Sequence, residues 1–275
     1  LANQFYLVQK TAKKVSLAVR VTDDYTLREP VGRIKVGIKE AVAGPVKNPS
    51  GYYVFTDLLP GSYSVEVASQ YYLTGESAVN TALLDAKYPV LNISLTPHSA
   101  YPFTGSVALI RGLVYGSAGK SLAKAGVQAV VTDPENADKA KLSKNPVKAG
   151  DRTVLLADIY GELTPDELLM IKDVNKMCNE VIKIAPPVPA NSAVQPVSLA
   201  SPLKFDHPAK TPLMSVLKTL TNEKGEFVIY FRTLKANKFN VSIQVHHPDY
   251  QIFNREVEIT ADKQVSLGVI QLTTA

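Results

Sequence analysis

At 275 residues, 45% hydrophobic and 20% charged, the chain has the composition of an ordinary soluble protein and room for two domains of about one hundred residues each. Its net charge of +5 comes from Lys and Arg interspersed with Asp and Glu, without the clustered basic face and aromatic platforms that nucleic-acid binding requires. No apolar run approaches the roughly 20 residues that cross a bilayer, and a lone Cys178 excludes an intramolecular disulfide, which favours a reducing compartment or an organism that does not rely on disulfides outside the cell.

Residues 1–14 form a leading arm with neither an initiator Met nor the plan of a signal peptide. The start is read as processed or incompletely represented, so secretion stays open. Phe5, Leu7 and Val8 pair as an extra strand or, as the rival reading, serve as a free arm in which Phe5 and Leu7 bind a partner. Within residues 15–97, Gly51–Phe55 and Ser62–Ala68 read as the two short strands of a hairpin. Tyr52 and Val54, then Tyr63, Val65 and Val67, alternate with period two, as strands with one buried face do. Pro60-Gly61 supplies the turn between them, and Gly61 is expected at positive φ.

Two prolines stiffen a linker over residues 98–107, with Tyr101 and Phe103 as candidate interdomain packing residues. A second unit of the same pattern occupies residues 108–275, where Gly225–Phe231 leads through a polar connection into Val241–His246. A long insertion, 133–219, interrupts it. There Thr164-Pro-Asp-Glu reads as a capping-box start, and Leu168, Ile171, Val174, Cys178 and Val181 recur at three- or four-residue steps, which predicts a helix over about 164–183. A Pro-rich arm follows over 185–212, expected to be extended, with Val188, Val194, Val197 and Leu199 as candidate partner-binding residues.

The order of elements in the first copy, with its Asn48-Pro-Ser-Gly-Tyr-Tyr-Val-Phe strand and its Leu59-Pro-Gly-Ser-Tyr-Ser-Val turn, resembles the carboxypeptidase regulatory-like domains, small transthyretin-like β-sandwiches. The second copy resembles the same family through Asn222-Glu-Lys-Gly-Glu-Phe-Val-Ile, but lacks the Leu-Pro-Gly turn and carries the insertion. The resemblance implies a mainly β chain, two tandem transthyretin-like or Ig-like sandwiches over 15–97 and 108–275 with one helix-containing insertion. It places further strands at Val15–Thr22, Gly32–Lys39 and Tyr88–Leu95 in the first copy and at Leu109–Gly116, Ala125–Val131, Arg255–Ile259 and Val265–Leu272 in the second. It also implies a setting, since similar tandem domains occur in surface proteins, extracellular filaments and phage-tail-like contractile particles.

No chemistry assembles along the sequence. His98, His207, His246 and His247 show no metal-ligand spacing, and the adjacent pair on a strand would point to opposite faces; turn-lining or partner-facing roles are expected for them. Gly116 to Ser121 departs from a phosphate loop and reads as a hairpin turn. Asp23-Asp24 and Asp133-Pro-Glu135 lack the ligand-rich repeat of a calcium loop, and the sequons at Asn92 and Asn240 fall inside predicted strands. The expectation is a non-enzymatic assembly subunit of a multi-protein particle or filament, without cofactor or metal, working through protein contacts as a homo- or hetero-oligomer. Its location is particle-associated or extracellular, with the insertion as the main assembly element. A secreted or cell-surface adhesive, carbohydrate-binding sandwich is the alternative.

Overall fold

The computed structural model describes residues 14–40, 44–104, 107–117, 119–189, 192–233 and 235–274; the arm residues Phe5 and Leu7 lie outside them. The chain is mainly β, and the helical turns among the described residues are two short 3₁₀ segments, Thr81–Leu83 and Lys176–Cys178. It divides into two units, residues 1–101 and 102–275.

In unit 1 the strands are β1 (Val15–Asp23), β2 (Ile34–Ile38), β3 (Val46–Lys47), β4 (Tyr53–Thr56), β5 (Ser62–Ser69), β6 (Gly75–Asn80) and β7 (Val90–Leu95). They form two sheets, ordered β3-β4-β1-β7 and β2-β5-β6. β1 runs antiparallel to β4 and parallel to β7. Alternate residues of both sheets are buried: Leu17, Val19 and Val21 on β1, Val36 and Ile38 on β2, Val65 and Val67 on β5. This period-two burial is what the alternating sequence dictates, and each such aliphatic side chain removed from water contributes about 1.5–3 kcal/mol before entropy is charged against it.

Unit 2 continues with β8 (Leu109–Tyr115), β9 (Gly126–Val131), β10 (Ala140–Leu142), β11 (Thr153–Ala157), β12 (Leu168–Ile171), β13 (Glu180–Lys183), β14 (Val194–Ser198), β15 (Pro212–Leu220), β16 (Glu226–Tyr230), β17 (Lys238–His246), β18 (Phe253–Thr260) and β19 (Gln264–Gln271). β8 runs antiparallel to β16 and parallel to β19, and β17 lies between β9 and β18. This pairing repeats unit 1 strand for strand, with β8, β9, β16, β17, β18 and β19 in the places of β1, β2, β4, β5, β6 and β7. One core joins the two sheets, among its members Ile110 and Val114, Val127 and Ala129, Phe227 and Ile229, and Val241 and Ile243.

The turns that lead into β4 and β16 repeat in atomic detail. The Asn48 Oδ1 accepts the Tyr52 N–H at 2.9 Å and the Asn222 Oδ1 accepts the Glu226 N–H at 3.0 Å. Gly51 donates to the Asn48 carbonyl and Gly225 to that of Asn222, with φ of 85° and 75°. Positive φ is therefore required at the Asn-x-x-Gly glycine. Gly61, expected at positive φ, does not have it: its N–H and carbonyl both bond Thr81, which holds it in line with β5.

The insertion is β-structure, and the helix predicted over 164–183 does not form. Its second hydrophobic core includes Leu142, Leu156, Leu169, Ile171, Ile182, Val197, Leu199 and Leu213. β12 and β13 make a hairpin, and β12 also pairs with β15, Leu168 opposite Val216. The capping signature is present as a turn. The Glu167 carboxylate accepts the Thr164 N–H at 2.8 Å, but Asp166 sits at φ 66°, a left-handed conformation from which a helix does not propagate. Leu168 to Ile171 then alternates half-buried and buried, and the neighbouring strands supply the partners that decide between the two periods.

The Pro-rich arm is likewise built into the fold. β14 pairs antiparallel with β11, Val197 opposite Val154 and Pro196 opposite Leu155. Because Leu199 donates to the Arg152 carbonyl, the ladder phase turns the Pro196 nitrogen outward, the position an edge strand tolerates in a proline.

Candidate functional site

The residues predicted to bind a partner separate. Val197 and Leu199 are buried, at 0% and 5% exposure, and Val188 packs against the same insertion core, so these three serve the fold of the insertion; Val194 is exposed. Tyr101 and Phe103, predicted for a seam between domains, each find partners within their own unit. Phe103 packs on Tyr230 at 5.5 Å between ring centroids, with the Arg111 guanidinium 5.7 Å from its ring. Tyr101 is buried edge-on to Tyr72.

Tyr101 belongs to a polar cluster in unit 1. Asp23, at 0% exposure, ends β1. Its Oδ1 accepts the backbone N–H of Tyr25 at 2.7 Å and of Thr26 at 3.3 Å. Its Oδ2 accepts the hydroxyls of Tyr72 at 3.0 Å and Tyr101 at 2.5 Å. Four donors satisfy a buried carboxylate without a cation. Burial, and next the Asp23 carboxylate, push the Tyr101 hydroxyl far above its ordinary range; Tyr72, raised chiefly by burial, is pushed up to about 12.

A second cluster pins the insertion. His207 is fully buried between two carboxylates, its Nδ1 2.8 Å from Asp173 and its Nε2 2.9 Å from Glu180. Each ring nitrogen is hydrogen-bonded to a carboxylate oxygen. Glu180 also accepts the backbone N–H groups of Lys204 and Phe205, and Asp173 that of Asn175. The hydrogen bond from His207, above all, holds the Asp173 carboxyl below its usual value. His207 thus ties the β12–β13 connection to the 203–208 loop, a role that its sequence spacing does not announce. His98 and His247 line turns, accepting the backbone N–H of Ala100 and Asp249.

Nearby, Lys139 is buried, donates to the Glu162 carbonyl at 2.9 Å and lies 3.7 Å from Glu167; burial draws its ammonium below the ordinary value. Asp138, buried, meets Lys235 and lies 3.7 Å from Lys141. The Lys139 contacts hold the Thr164 turn in place, together with the Arg232 to Thr164 hydrogen bond. No group of three or more His, Cys, Asp or Glu suited to a metal ion occurs among the described residues. Asp23 and Asp133, weighed as calcium ligands, are occupied by hydrogen bonds of their own, Asp133 with Asn136. Gly116 and Gly119 make the tight turn over Lys120.

Two surfaces stand out against this closed interior. The connection between β12 and β13, anchored by His207, exposes Val174 at 98% and Met177 at 86%. In unit 1 a cleft of about 400 Å³ opens between the two sheets, lined by Val21, Ile34, Arg33, Lys47 and Tyr53 among others. It runs into a neighbouring hollow bordered by Arg20 and Arg28. Among the described residues Glu29 is the one carboxylate along both, and it is paired with Lys47 at 2.7 Å. The charge of this cleft is therefore positive.

No protein-family model and no curated protein matches the chain. Among solved structures it is similar to a streptococcal ancillary pilin, at 10% identity and a TM-score of 0.25, covering 97% of this chain and 64% of that one. It is similar also to the shaft pilin SpaA of Lactobacillus rhamnosus GG, at 7% identity and a TM-score of 0.25, covering 96% and 98% of the two chains. A third likeness is to BcpA, the major pilin subunit of Bacillus cereus, at 9% identity and a TM-score of 0.22, covering 96% and 100%. Likenesses of this size carry no argument about fold or function; the residues and their geometry carry both.

Proposed function

We propose that this protein is a non-enzymatic structural subunit of a multi-protein particle or filament, two tandem sandwiches of the carboxypeptidase regulatory-like kind acting through protein contacts. The observation that carries the reading is the tip of the insertion. The exposed Val174 and Met177 sit on a connection whose base is fixed by the buried hydrogen-bond cluster of His207, Asp173 and Glu180. Apolar side chains left in water on a rigid support lower the entropic cost of docking, because the contact surface is ordered before the partner arrives. The insertion folds on its own core, so its role in assembly is to present this tip.

The test is incorporation. A tagged chain isolated under native conditions from its source is expected in an assembly far heavier than 29.8 kDa, with a constant set of partners. Val174→Asp with Met177→Asp, both on the surface, is expected to leave the melting curve unchanged and to remove the chain from that assembly. A chain that isolates alone, or a double variant incorporated at normal stoichiometry, overturns the reading of the tip as the contact.

A further inference from the structure

We propose that copies of this chain add to one another head to tail, β18 of one copy pairing antiparallel with the outer edge of β2 in the next; this rests on the assembly reading and gives it a geometry. The internal repeat shows what such an edge accepts. In unit 2 the outer edge of β9 is occupied by β15, antiparallel, Val216 opposite Val130. In unit 1 the strand that precedes β4 pairs with β4 instead, and no strand among the described residues covers the matching edge of β2. Lys39 donates to the Ser64 carbonyl at 3.1 Å, which fixes the ladder phase: the backbone groups of Ile34, Val36 and Ile38 face outward.

The flank of this edge is basic. Arg33 and Lys35 lie on or beside β2, and the cleft that opens at Ile34 adds Lys47, with Arg20 and Arg28 beyond. Such an edge repels another copy of itself and selects an acidic strand. Among the described edge strands β18 alone carries two glutamates, Glu256 and Glu258. Ala261 donates to the Asn237 carbonyl at 2.8 Å, so the outward backbone groups of β18 belong to Asn254, Glu256 and Glu258.

Antiparallel pairing sets outward-facing residues opposite one another and on the same side of the joined sheet. With Glu258 opposite Ile34 and Glu256 opposite Val36, both carboxylates fall on the face of β2 where Ile34 lines the cleft, within the field of Lys47 and the arginines. The two strands are different segments of the chain, so the contact is heterologous. Repeated without closure, it makes an open chain of copies.

Sedimentation and electron microscopy of the full-length protein over a concentration series test this. Polymers that lengthen with concentration and shorten with added salt are expected, because salt screens exposed charge. Glu256→Pro removes an outward N–H that β17 does not use, so circular dichroism and melting are expected to stay unchanged. The concentration needed for assembly is expected to rise by roughly tenfold or more, and the variant added in small amounts is expected to shorten wild-type polymers, since it keeps its β2 edge but has lost its donor strand. Wild-type protein monomeric at every concentration, or Glu256→Pro polymers indistinguishable from wild type, overturns the inference. Neither outcome touches the tip: Val174→Asp with Met177→Asp is expected to polymerise normally while failing to enter the native assembly, which separates failure of this inference from failure of the assembly role.

Discussion

Unit 1 and unit 2 share one strand pairing and one Asn-x-x-Gly turn, yet they close differently. Unit 1 runs from β2 to β4 through a short connection whose strand joins the sheet of β4, and it leaves the outer edge of β2 without a strand among the described residues. Unit 2 spends residues 133–219 on the same connection, extends the sheet past β9 and builds a second core. Each unit also holds buried carboxylates, with opposite solutions. Asp23 is satisfied by neutral donors, whereas Asp173 and Glu180 share a histidine. Added chain therefore converts an exposed edge into an interior, and that interior is fixed partly by charge.

The comparison breaks most sharply at His207. His207→Ala leaves two buried carboxylates facing each other and is expected to cost unit 2 about 3–5 kcal/mol, the usual consequence of removing one partner of a buried ion pair. Denaturant unfolding with probes specific to each unit checks this, and the transition of unit 1 should not move. The acid limb follows from Asp173. Its folded pKa is lowered, so its contribution is fully present above the ordinary Asp value of about 4 and is lost as pH falls below it. The His207→Ala variant should lose that part of the acid slope.

The two matching glycines sharpen the comparison next. A Cβ on Gly51 would meet nothing within 4 Å, whereas one on Gly225 would lie 2.6 Å from the Val114 carbonyl oxygen. Gly51→Ala is expected to cost about 1–2 kcal/mol from the left-handed backbone alone. Gly225→Ala adds about 1–3 kcal/mol for the displacement of β8, and the two melting shifts should differ in that order.

Asp23→Asn is expected to cost unit 1 about 1–3 kcal/mol, because the charge-assisted bonds to Tyr72 and Tyr101 are weakened. On the alkaline side Tyr72 keeps its proton to about 12 while the unfolded chain releases it near 10. The folded state then binds more protons, and stability falls as pH rises through that window. Absorbance titration should show fewer tyrosines ionising near 10 in wild type than in Asp23→Asn. The smallest effect is at Gly61, with φ outside the left-handed region and nothing within 4 Å of an added Cβ; Gly61→Val is expected to change stability by no more than about 0.5 kcal/mol.

Local signals in the sequence determined the mainly β class, five of the seven strands of unit 1 (β3 and β6 were not expected) and the turns at Asn48 and Asn222, because alternating burial and Asx hydrogen bonds act between residues close in the chain. The same locality misled at Thr164. A capping box and a three-to-four periodicity fit a helix equally well, and only β13 and β15, pairing with β12 from distant parts of the chain, decided for a strand. The Pro-rich arm had the composition of an unpartnered segment until β11 supplied its ladder. His207 gave no sign of itself, since Asp173 and Glu180 lie 34 and 27 residues away in sequence. Which edge stays open, which carboxylate is neutralised and which apolar side chains reach solvent are properties of long-range pairing, and these only the tertiary structure decided.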